Sequence, residues 1–206
     1  MRDAEDGRLA RGTARRTLLL DAAVRVVAEG GAGSLTHRAV AGEADVSVAS
    51  VTYHFPSISD LRRGAFQHAG SSIGLELADL VLAASARVDD TPAICAEYAV
   101  RLLTDRRVET AAVFELSIAA AHDDELKPVV AVYQGMLAEL LMPFTRDAAR
   151  ARTVGAAVQG LILVQMASPF SDDPSALGAA VADLIGRYPA GILTPTRRTP
   201  ATDHAH

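Results

Sequence analysis

The segment from Thr36 to Leu61, which reads THRAVAGEADVSVASVTYHFPSISDL, limits the possible fold more than any other part of the chain. Thr36 and Ser47 are residue types that cap helix N-termini, and each precedes a short stretch of helical periodicity. Asp45 lies between the two stretches, and aspartate tolerates the left-handed backbone of a tight turn. Pro56 then interrupts the chain before a third, longer helical pattern. The segment therefore predicts two short helices joined by a tight turn, which is the build of a helix-turn-helix.

Apolar residues recur at three- and four-residue spacing along the rest of the chain, and no stretch alternates convincingly with a period of two. Half of the 206 residues are apolar but only 4% are aromatic, so Ala, Val and Leu must supply most of the core. Such a core favours closely packed helices over a β-sandwich. The sequence therefore predicts an all-α protein of about nine helices, with an N-terminal three-helix helix-turn-helix domain ahead of a larger helical domain. The predicted divisions are a flexible arm (1–12), the helix-turn-helix domain (13–56), the larger helical domain (57–189) and a disordered tail (190–206).

Capping residues and breakers set the ends of the predicted helices. The first helix begins at Thr13, and the fourth begins with the capping-box-like sequence SISD at 57–60 and extends into the low eighties. In the larger domain we predict Thr91 as an N-cap, with Pro92 at the first helical position, and Pro143 as the end or kink of a helix. Further helices are predicted from Val108 to Ala121, from Asp123 to Met142, from Thr145 to Ala167 and after Pro174.

The third helical pattern has a small and polar exposed face, so it can approach base edges in the DNA major groove. Val46 and Val51 can pack inward, while hydroxyl groups can donate to phosphates and methyl groups can contact thymine. Thr36 caps a helix whose positive N-terminus suits a phosphate oxygen. A solvated face of an ordinary helical domain is the alternative interpretation. The predicted DNA-binding residues are Arg15, Arg16, Thr36, His37, Arg38, Ser47, Val48, Ala49, Ser50, Thr52, Tyr53 and His54.

The formal charge of −5 would argue against a nucleic-acid partner if it were spread evenly along the chain. Residues 8–68 carry eight Arg and five acidic residues, whereas residues 69–206 carry eleven Lys or Arg and seventeen acidic residues. The basic excess therefore lies in the helix-turn-helix part, where phosphate contacts need it.

Residues 13–62 closely resemble the DNA-binding domain of the TetR family of one-component bacterial regulators. The matching stretches are LLDAAVRVVAEGG (19–31), VSVASV (46–51) and HFPS (54–57), followed by Leu61. Three residues depart from the family pattern: Asp45 replaces the usual turn glycine, Thr52 replaces an aromatic residue, and Ile58 replaces a basic residue. The change at Ile58 removes one expected phosphate contact, while aspartate keeps the turn possible.

The resemblance implies a ligand-responsive transcriptional regulator, a repressor that binds palindromic operator DNA as a homodimer and releases it on binding a small-molecule effector. It also implies an effector pocket between the helices of residues 91–166. No charged cluster is evident there, which favours an apolar or amphipathic effector. Candidate pocket residues are Tyr98, Phe114, Tyr133, Met136, Gln165 and Met166, although side chains of these types are more commonly ordinary core residues.

In the family, the last two long helices form a four-helix bundle with the same pair of a second subunit. Here small residues would allow close helix approach, and the apolar stripe of the final helix would supply the contact face. Packing inside one subunit is the alternative. In a homodimer, the DNA-contacting helices of the two subunits would reach half-sites about 34 Å apart. The predicted interface residues are Gly155, Ala156, Gly160, Leu177, Val181, Leu184 and Tyr188.

Two other classes of function remain open from the sequence. A DNA-binding regulator without a small-molecule effector fits the same motifs. An enzyme fits poorly, because the run His122-Asp123-Asp124-Glu125 cannot converge on one metal ion and Cys95 has no neighbouring base. No phosphate-binding glycine loop or nucleophile elbow is evident, so no cofactor or metal is predicted. No apolar run spans a bilayer and no secretory signal is visible, which predicts a cytoplasmic protein without a membrane partner.

Overall fold

The computed structural model describes residues 2–85, 90–145, 147–167 and 172–187. Within these ranges all regular structure is helical, which confirms the predicted all-α fold. One 3-10 turn, Ala32–Ser34, lies between the first two α-helices. The α-helices are α1 (Arg2–Gly30), α2 (His37–Glu43), α3 (Val48–His54), α4 (Ile58–Ser85), α5 (Thr91–Leu103), α6 (Arg107–Ala119), α7 (Lys127–Thr145), α8 (Ala148–Ala167) and α9 (Ser175–Gly186).

Local capping explains where the two short helices begin. The Thr36 Oγ1 accepts a hydrogen bond from the Ala39 N–H at 3.0 Å and starts α2. The Ser47 Oγ accepts one from the Ser50 N–H at 3.2 Å and starts α3. Both N-caps are the residues predicted from the sequence, because a cap of this kind depends only on groups a few positions apart.

The first helix is longer than the sequence indicates. α1 begins at Arg2, so residues 2–12 of the flexible arm predicted at 1–12 are helical in the structure, which corrects the prediction for them, and residue 1 lies outside the described residues. Once a helix is nucleated, each added residue brings one more hydrogen bond, and the Arg, Ala, Glu and Leu residues of this stretch are good helix formers. This stretch lacks apolar periodicity, so its sequence gives no sign of packing against a core, but its residues still favour a helix.

The starts of α5 and α7 also differ from the prediction. The N-cap of α5 is Asp90 rather than Thr91. α7 begins at Lys127, because residues 123–126 form a turn in which the Asp123 Oδ1 accepts the Glu125 N–H at 3.0 Å. An acidic side chain can accept backbone N–H groups either in the first turn of a helix or in a turn just ahead of it. The sequence pattern alone does not distinguish these two positions.

Pro143 does not end α7, which continues to Thr145. The Thr145 hydroxyl donates to the Leu141 carbonyl at 3.1 Å, so a side chain adds a hydrogen bond in the last turn. The Asp147 carboxylate then accepts the Arg150 N–H at 2.9 Å and caps α8. The boundary between α7 and α8 thus lies after the proline, where this second cap begins a new helix.

α4 contacts both parts of the molecule. It packs against α1, α6 and α7, and α1 also packs against α6. In the larger domain α5 packs extensively against α9, and α7 packs against α8. Leu61 and Phe66 of α4 are buried in the same core as Leu19 of α1 and Leu116 of α6. A displacement of α4 would therefore disturb the helix-turn-helix and the larger domain together. None of the helices in the described ranges is both long and apolar enough to cross a membrane.

Candidate DNA-binding head and internal cavity

The turn between α2 and α3 has the left-handed backbone predicted for it. Asp45 has a φ of 51°, and among the described residues no other non-glycine residue has a positive φ. The Asp45 N–H donates to the Gly42 carbonyl at 3.3 Å, and the Val46 N–H donates to the Ala41 carbonyl at 2.9 Å. These hydrogen bonds close the turn and fix the angle between the two helices.

α3 turns one side to the core and the other to solvent. Val51 is buried and Val46 is half-buried, as predicted for the inward side. Tyr53 is 82% exposed and Val48 is 44% exposed, so the outer side offers aromatic and methyl surface. The Thr52 hydroxyl lies 3.2 Å from carbonyl oxygens of its own helix. Of the predicted DNA-binding residues, Arg15, Arg16, Thr36, Arg38, Ser47, Val48, Ala49, Thr52 and Tyr53 are exposed, and His37, Ser50 and His54 are half-buried.

His37 and Arg16 hold the junction between α3 and α4. The His37 Nε2 lies 2.7 Å from the carbonyl oxygen of Phe55, the C-cap residue of α3. The Arg16 guanidinium lies over the buried Phe55 ring, 4.9 Å from its centroid, in cation–π geometry. Both residues are among those predicted to bind DNA. The His37 Nε2 is paired with a carbonyl group within the chain, whereas Arg16 remains exposed.

A reciprocal capping box begins α4 directly after this junction, as the sequence predicts. The Asp60 N–H donates to the Ser57 Oγ at 3.0 Å, and the Ser57 N–H donates to the Asp60 carboxylate at 3.3 Å. The Ser57 hydroxyl also donates to that carboxylate and lowers the pKa of Asp60, and Arg63 acts in the same direction. Ile58, which replaces a basic residue of the family pattern, packs against the core.

An internal cavity of about 80 Å³ lies between α4, α5, α7, α8 and α9. Its lining is mostly apolar, with two tyrosines, a cysteine and a glutamine among the lining residues. The glutamine, Gln159 of α8, pairs with Gln134 of α7 through amide hydrogen bonds of 3.1 and 3.2 Å. The lining includes Ile73 and Leu77 from α4, Cys95 and Tyr98 from α5, Tyr133 and Leu137 from α7, and Ile162 from α8.

The titratable groups in this lining stay neutral at physiological pH. Burial raises the pKa of the Cys95 thiol to about 11 and that of the Tyr133 hydroxyl to about 12. Burial also raises the pKa of Tyr98, and the nearby Tyr133 and Glu76 add to the effect. The Tyr98 hydroxyl donates to the Ile73 carbonyl oxygen at 2.6 Å. The cavity therefore presents protonated hydroxyl and thiol groups rather than charges.

The predicted pocket residues do not all reach this cavity. Apolar residues lie on several sides of the helices in this domain, so residue type alone does not identify the inward side. The i, i+4 spacing of Tyr133, Leu137 and Leu141 is a sequence signal that marks the cavity side of α7. Of the six predicted residues, Tyr98 and Tyr133 line the cavity. Phe114 and Met166 line a surface groove between α1, α6 and α8. Met136 faces Gly74 of α4, and Gln165 is buried outside the cavity lining.

Two family models match the chain. Residues 19–65 match "Bacterial regulatory proteins, tetR family", and residues 75–187 match "Tetracyclin repressor-like, C-terminal domain". The chain belongs to the TetR family. Members of this family are DNA-binding transcriptional regulators and not enzymes, so the predicted family and class of function are confirmed.

Solved structures resemble the chain over most of its length. The multidrug binding protein EbrR in complex with imidazole is 32% identical, with a TM-score of 0.65, over 82% of this chain and 94% of that chain. EbrR in complex with ethidium is 31% identical, with a TM-score of 0.65, over 82% and 97%. The TetR-family member SCO1917 from Streptomyces coelicolor A3 is 32% identical, with a TM-score of 0.68, over 82% and 97%. No curated protein matched the sequence.

Part of the interface predicted for this TetR-family chain is buried inside the subunit. Leu177 and Val181 of α9 are 0% and 1% exposed, and α9 packs closely on α5. Their surface is already buried, which corrects the interface role predicted for them. Of the other predicted residues, Ala156 and Gly160 are exposed, and Leu184 is half-buried. Gly155 lines the cavity, and Tyr188 lies outside the described residues.

The acidic run ahead of α7 contacts α4. The Arg62 Nη1 donates to the Asp123 Oδ2 at 3.2 Å, and the Arg63 Nη1 donates to the Glu125 Oε2 at 3.2 Å. Over the described ranges, no group of His, Cys, Asp and Glu side chains could hold a metal ion. The run therefore fixes the first turns of α4 against the larger domain.

Proposed function

We propose that this TetR-family protein is a ligand-responsive repressor that binds palindromic operator DNA as a homodimer in the cytoplasm. A small molecule bound in the internal cavity releases it from the operator. One observation carries the proposal: α4 starts at the junction that Phe55 anchors, and further along it lines the cavity with Ile73 and Leu77. A ligand that favours one position of α4 therefore also favours one position of α3.

In this proposal α3 is the helix that reads base edges. Its outer side presents Tyr53, Val48 and Thr52, and the exposed Arg15 and Arg38 supply positive charge on α1 and α2. Methyl and aromatic groups can contact thymine methyls, and arginine side chains can bind phosphates. One short helix reads few bases, so specific binding needs the α3 of a second subunit, about 34 Å away along the groove.

The outer side of α8 supports the homodimer. Ala156 and Gly160 are exposed there, and Leu163 and Val164 are 38% and 52% exposed. The small residues allow a second helix to approach closely, and the two larger ones supply apolar surface that a partner can bury. A twofold axis beside α8 would bury this side in both subunits.

The effector that suits the cavity is a largely apolar, aromatic molecule. EbrR binds ethidium and proflavin, and these polycyclic aromatic ligands support an aromatic effector for the present chain. In the lining that the structure describes there is no carboxylate, and the Tyr133 hydroxyl is neutral. These groups favour apolar or amphipathic ligands over strongly charged ones.

Selection of genomic fragments by the purified protein tests the DNA part of the proposal, and we expect a palindromic consensus. On the selected duplex, the double change Thr52→Ala and Tyr53→Ala should weaken binding at least about a hundredfold, because it removes base contacts in both half-sites. Val132→Ala is the matched control, since it trims an exposed apolar side chain of α7. Specific binding by a double variant that is still dimeric would contradict the assignment of α3.

Thermal shift measurements with aromatic dyes and metabolites test the effector part. We expect at least one compound to raise the Tm and to lower the operator affinity over the same concentration range, because it binds one position of α4 better. If compounds change neither quantity, the chain is a DNA-binding regulator without a small-molecule effector.

A further inference from the structure

We propose that the Tyr98 hydroxyl is the positioning group that transmits occupancy of the internal cavity to α4. The inference rests on the proposed function of the cavity as an effector site, and it names the side chain through which the effector acts. Tyr98 lines the cavity, and its hydroxyl is hydrogen-bonded to the backbone of α4, so this side chain contacts both the ligand space and α4.

The bond joins α5 to α4. The Tyr98 hydroxyl donates to the Ile73 carbonyl oxygen at 2.6 Å, and Tyr98 is 6% exposed. Burial raises the pKa of Tyr98, so the hydroxyl keeps its proton and remains a donor at physiological pH. The Ile73 carbonyl also accepts within the α4 backbone ladder, so the tyrosine is an additional donor. Breaking the bond leaves that carbonyl paired, so α4 stays helical but loses a tertiary contact that protects it from local opening.

An ion-pair cluster reinforces the same connection. Glu76 of α4 contacts Arg101 of α5 and accepts a hydrogen bond of 2.9 Å from Arg106. Arg106 also donates to Glu109 of α6 at 3.2 Å. Because Glu76 follows Ile73 at i+3, both lie on the same side of α4. That side is therefore tied to α5 and α6 by two adjacent polar contacts.

Close packing on α7 holds the next side of α4. Gly70 and Gly74 are buried, and a Cβ added at Gly70 would lie 3.1 Å from the Tyr133 ring. The Tyr133 ring also packs edge-to-face on Phe66, with 5.5 Å between centroids. Tyr133 lines the cavity, so both cavity tyrosines touch the same stretch of α4. A ligand that pushes the two rings apart would therefore alter both contacts of this stretch.

The size of the cavity makes such a displacement necessary. Its volume of about 80 Å³ is below the roughly 300–1,000 Å³ of sites that hold drug-sized ligands. A ligand of that size must move lining side chains, and a ligand that displaces the Tyr98 ring takes its hydroxyl away from Ile73. Ligand binding and the Tyr98–Ile73 bond therefore compete. The ligand favours the α4 position in which the bond is broken.

Tyr98→Phe removes the hydroxyl and keeps the ring. We expect the ligand-free variant to bind the selected operator about three- to tenfold more weakly, the effect of one hydrogen bond. Hydrogen exchange of the α4 amides at residues 70–77 should be faster than in the parent protein. Thr104→Val is the matched control, because its hydroxyl bond of 3.2 Å to the Val100 carbonyl stays within α5. This control should change neither measurement.

Malachite green, which EbrR binds, is the probe for coupling. In the parent protein the dye should weaken operator binding and speed exchange in α4. Tyr98→Phe should bind the dye about three- to tenfold more tightly, because the competing bond is absent and coupling is reciprocal. Weaker operator binding together with tighter dye binding is a pattern that a purely structural role of Tyr98 would not produce.

Equal operator affinity and equal α4 exchange in the ligand-free parent and Tyr98→Phe proteins would overturn the role of Tyr98, even if the dye releases DNA from both. If the dye leaves operator binding by the parent unchanged, the proposed effector function fails for this probe, and the ligand-free comparison still decides the Tyr98 contact. Glu76→Gln weakens the adjacent ion pairs and should also speed α4 exchange. It replaces Tyr98→Phe if that variant folds poorly, and unchanged exchange would then count against the proposal.

Discussion

Burial changes the chemistry of Cys95, the single cysteine of the chain, which lines the cavity. Its thiol has a pKa raised to about 11 by burial, and only the thiolate reacts with iodoacetamide. At about pH 8, a rise of about two pKa units lowers the thiolate fraction roughly a hundredfold. We therefore expect alkylation of the folded protein, followed by mass spectrometry, to be about a hundredfold slower than in urea. Equal rates would show that the thiol is accessible and unshifted.

The same residue makes the free energy of unfolding depend on pH. The folded protein favours the neutral thiol, so the contribution of Cys95 is fully present below its ordinary pKa of 9.0. It is lost as the pH rises toward about 11, where the folded protein also ionises. Cys95→Ala should lack this part of the alkaline decline, which urea unfolding at a series of pH values would measure.

Asp45 and His37 show how far the identity of one residue predicts its role. Aspartate tolerates a left-handed backbone, and the φ of 51° at Asp45 follows from that local property. His37 was predicted as one of the DNA-binding residues of the helix-turn-helix. Its Nε2 contacts the carbonyl oxygen of Phe55, 18 residues away. Such a partner depends on how the helices pack, which the local sequence does not contain.

Among the elements, the junction between α3 and α4 depends most on one buried ring. Phe55→Ala would leave a cavity and remove the surface on which Arg16 lies, so we expect the free energy of unfolding to fall by about 3–5 kcal/mol. Urea denaturation followed by circular dichroism measures this change. Tyr53→Ala, two residues away and exposed, should change the free energy by less than about 0.5 kcal/mol. Equal effects of the two substitutions would show that the Phe55 ring does not anchor the junction.

Helix starts and helix faces differ in how far the sequence predicts them. Thr36, Ser47 and Ser57 each accept a hydrogen bond from an N–H three residues along, so the information that caps these helices is local. The faces of α8 depend on its neighbours: Ile162 is buried whereas Leu163 is 38% exposed, although both are apolar. The all-α fold and these three caps were therefore predictable, whereas the N-cap of α5 was not. Most of the cavity lining was not.

At the scale of the whole molecule, the subunit uses one side of α9 for its own core and leaves one side of α8 in water. Gly160 of α8 and Gly135 of α7 are both exposed, and an added Cβ would meet nothing within 4 Å at either position. Arginine therefore fits at both positions in a single subunit. Gly160→Arg should prevent formation of the proposed homodimer, because it puts an unpaired charge where the second α8 would pack.

Light scattering during size-exclusion chromatography measures this outcome, and Gly135→Arg is the matched control that should remain dimeric. Both substitutions replace an exposed helical glycine by the same charged side chain, so they differ only in the surface on which they stand. A dimeric Gly160→Arg protein would exclude the outer side of α8 as the contact between subunits.

The small volume of the cavity also has a consequence in time. A ligand larger than about 80 Å³ fits only when the lining side chains and helices move, and collective motions of helices take microseconds to milliseconds. Association is then slower than a diffusion-limited encounter, and dissociation requires the same opening. Operator occupancy would therefore follow the ligand concentration averaged over many openings, and brief pulses of ligand would pass without effect. In the proposed mechanism, the packing around Tyr98 would set how quickly the ligand exchanges and therefore how soon transcription responds.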